Sequence, residues 1–121
     1  MPSTVRALRG ATTVDHDSPG EITERVQELL SAVLERNGLR LDDVISAIFT
    51  ATPDLVSIFP ATAARGIGFG AVPLLCASEI PVTGSKARCV RVLLHVDTAR
   101  PASELRHVYL HDARDLRDDL P

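Results

Sequence analysis

Cysteine is scarce, with only Cys76 and Cys89 in 121 residues. Two thiols cannot build the dense disulfide framework of a small secreted fold. The ordinary expectation is a pair of reduced thiols, at least one of them buried. Long apolar runs are missing too. The longest uncharged stretch, Gly66 to Ser78, is interrupted by Pro73 and three glycines. It falls well short of the ~20 apolar residues that span a bilayer. The first ten residues, MPSTVRALRG, place charges where a signal peptide needs an apolar block. A soluble, cytoplasmic protein is expected. There is no excess of positive charge either: the formal charge is −3 and the isoelectric point about 5.7, which excludes a general nucleic-acid binder. Lysine is nearly absent, because 12 of the 13 basic residues are arginine and only Lys86 is lysine. Almost every fixed cation can therefore grip a carboxylate with two parallel bonds and never loses its proton.

What is present is ordinary globular material, with 45% hydrophobic and 24% charged residues. The length predicts one domain over residues 1–121, with no internal repeat, linker or low-complexity segment. Ser18-Pro19-Gly20-Glu21 reads as a capping box with proline at the first helical position. Ile22, Val26, Leu29, Leu30, Val33 and Leu34 then recur at helical spacing, and Asn37-Gly38 is a stop signal. A helix over 19–36 is predicted. Val5 to Thr12, Val44 to Thr50, Val72 to Cys76 and Arg88 to Val96 read as strands. In the last of these Val90, Val92, Leu94 and Val96 share one face, and Cys89, Arg91, Leu93 and His95 the other. His107 to His111 reads as a final strand, Phe59 to Arg65 as a short helix and Pro101 to Leu105 as a turn. The charged tail from Asp112 onward is expected to be mobile.

The predicted class is α+β: a mixed sheet of about five strands packed against one long helix. One helix of ~27 Å, at 1.5 Å per residue, covers a single face of such a sheet. The other face needs burial as well. Self-association supplies it, and sites are expected where subunits meet.

Few motifs point to chemistry. His16, His95, His107 and His111 lack any ligand spacing of a metal site, so no metal is expected. Gly66-Ile67-Gly68-Phe69-Gly70 lacks the Lys-Ser/Thr of a phosphate loop and a preceding strand, and reads as a flexible connection. Cys76 has no evident base beside it in sequence. What remains is arginine on strands, Arg9 and Arg91, together with Glu79 after an apolar run. Taken singly, Arg91 reads as a solvated or salt-bridged residue and Glu79 as a turn residue. Taken together with a thiol and Tyr109, they describe a pocket for a small polyanion that bears a hydroxyl.

Five segments carry a resemblance: Leu8 to Val14 (LRGATTV), Ala51 to Leu55 (ATPDL), Phe59-Pro60-Ala61, Cys89 to Val92 (CVRV) and Arg106 to Leu110 (RHVYL). In this order they resemble the small monofunctional bacterial chorismate mutases of the trimeric α/β type, from about Leu8 to Arg117. The resemblance implies a homotrimer around a barrel-like core, with active sites at subunit interfaces. It implies conversion of chorismate to prephenate, toward phenylalanine and tyrosine, with no cofactor and no covalent intermediate. By the family pattern, Arg91 lies beside the ether oxygen and a substrate carboxylate, and Arg9 and Tyr109 bind the enolpyruvyl carboxylate. Glu79 and Cys76 hold the ring hydroxyl, with Leu75, Cys76, Ala77, Ser78 and Glu79 lining the pocket. Phe59 and Ala61 form a wall donated by a neighbour, and Arg65 and Arg117 are basic residues near the mouth. Arg91, Glu79 and Arg9 are the catalytic candidates. Two departures stand out: Thr62 replaces a lysine of some relatives, and the loop from Gly66 to Ala71 is one residue short.

A trimeric imine deaminase-like or carboxylate-binding module would share the sheet, the helix and the oligomer. It gives the RGATTV and ATPDL segments no role. A non-catalytic regulatory subunit would follow if Arg91 or Glu79 were misplaced in space.

Overall fold

The computed structural model describes residues 2–116. Its first strand, β1, spans Thr4–Thr13 and leads into helix α1, Pro19–Arg36. Ser18 caps α1 by accepting a hydrogen bond from the Glu21 amide at 3.2 Å. Ile22, Val26, Leu29, Leu30 and Val33 are its buried residues, each contributing roughly 1.5–3 kcal/mol of burial. At the other end Asn37 is fully buried, and its amide bridges the Val33 and Arg106 carbonyls at 2.8 and 2.9 Å. Gly38, at φ 61°, lets the chain turn away.

After α1 come β2 (Val44–Ala51), the short helix α2 (Pro60–Arg65), β3 (Leu74–Ser78), β4 (Cys89–Thr98) and β5 (Val108–Tyr109). They form one mixed five-stranded sheet in the order β3-β2-β4-β1-β5. β4 is antiparallel to both β1 and β2, while β3 pairs with β2 and β5 with β1 in parallel. One face is covered by α1. There Leu8, Val90, Val92, Leu94, Val96, Ala47 and Phe49 pack with the apolar side of the helix. Gly10 lies at a close approach of helix and sheet: a Cβ there would meet Leu29 Cδ1 at 3.1 Å and the Val108 carbonyl at 3.2 Å. The opposite face carries Arg9, Ile48, Thr50, Arg91, Leu93, His95 and Tyr109, none of them fully buried.

The sequence expectations need four adjustments. β3 begins at Leu74 because Pro73 has no N–H to give the ladder; its carbonyl accepts from the Ala47 amide instead. The glycine-rich connection is built around a 3₁₀ turn at Phe69–Ala71, with Phe69 fully buried. The final strand contracts to Val108–Tyr109. At its start the His107 ring takes the Arg9 amide proton at 3.0 Å, and at its end His111 adopts the left-handed region at φ 54°. Finally, the start of the tail is packed: His111–Asp115 form a 3₁₀ turn whose Ala113 is buried against Ala11 and Cys89, while the expectation for 117–121 lies outside the described residues. Among the described residues no helix is long and apolar enough to cross a membrane.

Candidate active site

β-Sheet register sets the site. Across the open face, Ala77 of β3, Thr50 of β2, Arg91 of β4, Ala11 of β1 and Tyr109 of β5 stand side by side in one row. Arg9 lies two residues before Ala11 on β1, so it points to the same face. Arg9, Thr50, Arg91, Leu93 and Tyr109 line a cleft of about 320 Å³. That volume suits a small metabolite.

Glu79 reaches this row from just beyond β3. Its amide donates to the Ala51 carbonyl at 2.9 Å, which fixes the backbone against the end of β2. Its carboxylate is straddled by Arg91 Nε, at 3.3 Å from Oε1 and 3.1 Å from Oε2. The Thr50 hydroxyl donates to Oε2 at 2.7 Å. The Glu79 side chain is 17% exposed and that of Arg91 41%. Because the carboxylate occupies Nε, it orients the guanidinium without using the terminal nitrogens. Among the described residues these terminal nitrogens make no hydrogen bond, and they remain available to an anion.

A second, larger cleft of about 600 Å³ lies past the ends of β2 and β3. Thr52, Val56, Phe59, Cys76, Ala77 and Ser78 are among its lining residues. Phe59 is 70% exposed, an unusual position for a large aromatic at the start of a helix. The side chain of Cys76 faces the α1 side and packs on the main core, away from Arg91.

The structure thus gathers Arg9, Glu79, Arg91 and Tyr109 around one cleft and Phe59, Cys76, Ala77 and Ser78 around another. Leu75 is exposed on the open face and lines neither. Ala61 is only 5% exposed and is part of the core. Arg65 is exposed at the end of α2. Arg117 lies outside the described residues. Thr50 was missed by sequence reasoning. The available signal was its place in the alternation of β2, two residues after Ile48 on the face opposite Phe49.

The segments that carry the family resemblance hold this geometry. Thr52 exchanges hydrogen bonds with Cys89: its amide donates to the Cys89 carbonyl and its hydroxyl accepts from the Cys89 amide, both at 3.0 Å. Asp54 accepts from the Thr52 hydroxyl and, at 2.9 Å, from the Arg88 amide. ATPDL therefore ties the exit of β2 to the entry of β4, two residues before Arg91. Thr13, from RGATTV, anchors the C-terminal turn by accepting from the Asp112 amide at 3.1 Å. Each histidine has a local partner: His16 with Glu21, His95 with Ser46, His111 with Glu28, and His107 with the Arg9 amide.

Burial pushes the Cys89 thiol up to about 11, the nearby Arg91 only partly opposing it. Cys89 is therefore neutral at physiological pH, an inert thiol rather than a nucleophile. Near the second cleft, Asp17 accepts from the Val56 and Ser57 amides and holds that loop to the start of α1. The Ser57 hydroxyl, with these two amides, keeps its carboxyl below the usual carboxylate range.

Fold and cleft together define a small α+β protein in which the Arg91 guanidinium, held by Glu79, and Arg9 share one cleft on the open face of the sheet. The family model for chorismate mutase type I matches residues 5–120. Chorismate mutase AroH of Thermus thermophilus is 50% identical over 117 residues, covering 96% of each chain. Its namesake from Bacillus subtilis is 42% identical over 117 residues, covering 96% of this chain and 92% of the relative. A solved chorismate mutase from Clostridium thermocellum superposes with a TM-score of 0.88 at 47% identity, over 90% of this chain and 97% of that one. The chain belongs to the type I chorismate mutase family, isomerases of the monofunctional bacterial kind.

Proposed function

We propose that the cleft around Arg91 rearranges chorismate to prephenate, in the branch toward phenylalanine and tyrosine, in the cytoplasm. The reaction breaks one C–O bond while a C–C bond forms, with no net proton transfer. As the C–O bond lengthens, the ether oxygen gains negative charge. A guanidinium held in place beforehand stabilises that charge more in the transition state than in the ground state. One such donor is worth roughly 3–4 kcal/mol. Arg9 and Tyr109 bind the enolpyruvyl carboxylate, and Glu79 accepts from the ring hydroxyl. Gripping both ends of the flexible side chain selects its compact, reactive conformer. The single observation carrying this reading is Arg91, mid-strand in a cleft, oriented through Nε by Glu79.

The protein acts as a homotrimer around a barrel-like core, each site completed by a neighbour. Support comes from the uncovered face of the sheet and from the separation of the two clefts within one chain. Phe59, with Cys76, Ala77 and Ser78, walls the Arg91 cleft of the adjacent subunit. Arg65 and Arg117 lie at its mouth.

Loss of chorismate absorbance, with prephenate identified as the product, tests the reaction without added metal or cofactor. The turnover is expected to be flat through neutral pH, since no general acid or base takes part. A protein that consumes chorismate without yielding prephenate would refute the assignment.

A further inference from the structure

We propose that Thr50 is a positioning residue for the rearrangement, acting on Arg91 through the carboxylate of Glu79. This rests on the reading of the Arg91 cleft given above. Three features meet at this residue. Thr50 stands directly across the ladder from Arg91 and, on its other side, from Ala77. Its hydroxyl donates to Glu79 Oε2 at 2.7 Å. Its neighbour Ala51 holds the Glu79 amide at 2.9 Å. The end of β2 therefore grips Glu79 at both backbone and side chain.

An ionised carboxylate offers about four acceptor positions, and Arg91 Nε alone does not fix its plane. With only Nε as a partner, the group could rotate about its last bond and carry the guanidinium with it. The Thr50 hydroxyl supplies the second point of attachment. Nε is then committed to Glu79, and the terminal N–H groups point where the substrate oxygen lies. The hydroxyl acts on orientation, so its removal costs the transition state, where alignment is decisive, more than it costs ground-state binding.

Valine at this position keeps the shape and suits a strand, but has no donor. Thr50→Val is expected to lower kcat and kcat/KM together by roughly tenfold, with KM within about twofold. Thr50→Ser, which retains the hydroxyl, is expected to restore most of that loss. In a Glu79→Ala background the Thr50→Val change should cost nothing further, because the group it positions has gone. Thermal melting of each variant reports folding separately.

Unchanged turnover in Thr50→Val, while Glu79→Ala is crippled, would overturn the positioning role and leave the site reading intact. An equal loss in Thr50→Ser and Thr50→Val would also overturn it, since the hydroxyl would then not be the acting group. Full additivity with Glu79→Ala would do the same. Undiminished turnover in Glu79→Ala would instead overturn the reading of the site itself.

Discussion

Arg91 owes its place to a side chain that the linear sequence keeps 12 residues away. Glu79 holds Nε, and in the proposed reaction the terminal nitrogens act as an oriented fork rather than as a mere charge. Lysine has the charge but not the fork. Arg91→Lys is therefore expected to lose about 10²–10³-fold in kcat, with a much smaller change in KM. Steady-state kinetics on the purified variant checks this; equal losses in both parameters would contradict the role. Cys89 is the residue-scale counterpart in the core. Its thiol ionises at about 11 in the folded chain against 9.0 for an ordinary one. Between these values the unfolded chain gives up its proton and the folded chain keeps it. The unfolded state then binds fewer protons, so stability falls as pH rises through this window. Denaturant titrations from pH 8 to 11 should show that decline, and Cys89→Ala should flatten it.

Elements differ in how far they follow from local sequence. α1 was readable to the residue, because its cap, its apolar spacing and its stop signal all lie within its own span or immediately beside it. β5 was not. Alternation across His107 to His111 promised five residues of strand, but the His107 ring intercepts the Arg9 amide and only Val108–Tyr109 remain. That decision belongs to a contact 98 residues away in sequence. The first residues of the tail show the same limit: charge density implied mobility, whereas Ala113 finds a small buried niche beside Ala11 and Cys89. At Gly10 three elements converge, with α1, β4 and β5 all within 3.3 Å of a Cβ placed there. Gly10→Val is expected to destabilise the fold by roughly 1–3 kcal/mol through overpacking. Its denaturation midpoint should fall accordingly, and a midpoint equal to the parent's would show that α1 can retreat freely.

At the scale of the molecule, α1 seals one sheet face, and in the proposed trimer a partner covers the other. In that trimer the two clefts, which share no lining residue, meet across a head-to-tail contact, which closes into a ring when the rotation is right. Complementation tests the arrangement. Arg91→Ala disables one cleft and Phe59→Asp the other, so each variant alone should be nearly inactive. Trimers refolded from an equal mixture should regain about a quarter of parental activity, because one interface in four then joins two intact clefts by random assembly. No recovery in verified mixed trimers would place each whole site within one chain. Light scattering gives the expected mass of three subunits.

The amino-acid sequence by itself determined the class of the fold, the bounds of α1, the division of β4 into two faces and, through five short segments, the family. Those are local properties: caps, periodicity and motif order all act over a few residues. Only the tertiary structure decided which side chains meet. The Thr50–Glu79–Arg91 cluster, the short β5 and the separation of Phe59 from Arg91 arise from strand order and register. Register brings together groups distant in the chain, and no pattern within one segment encodes that pairing.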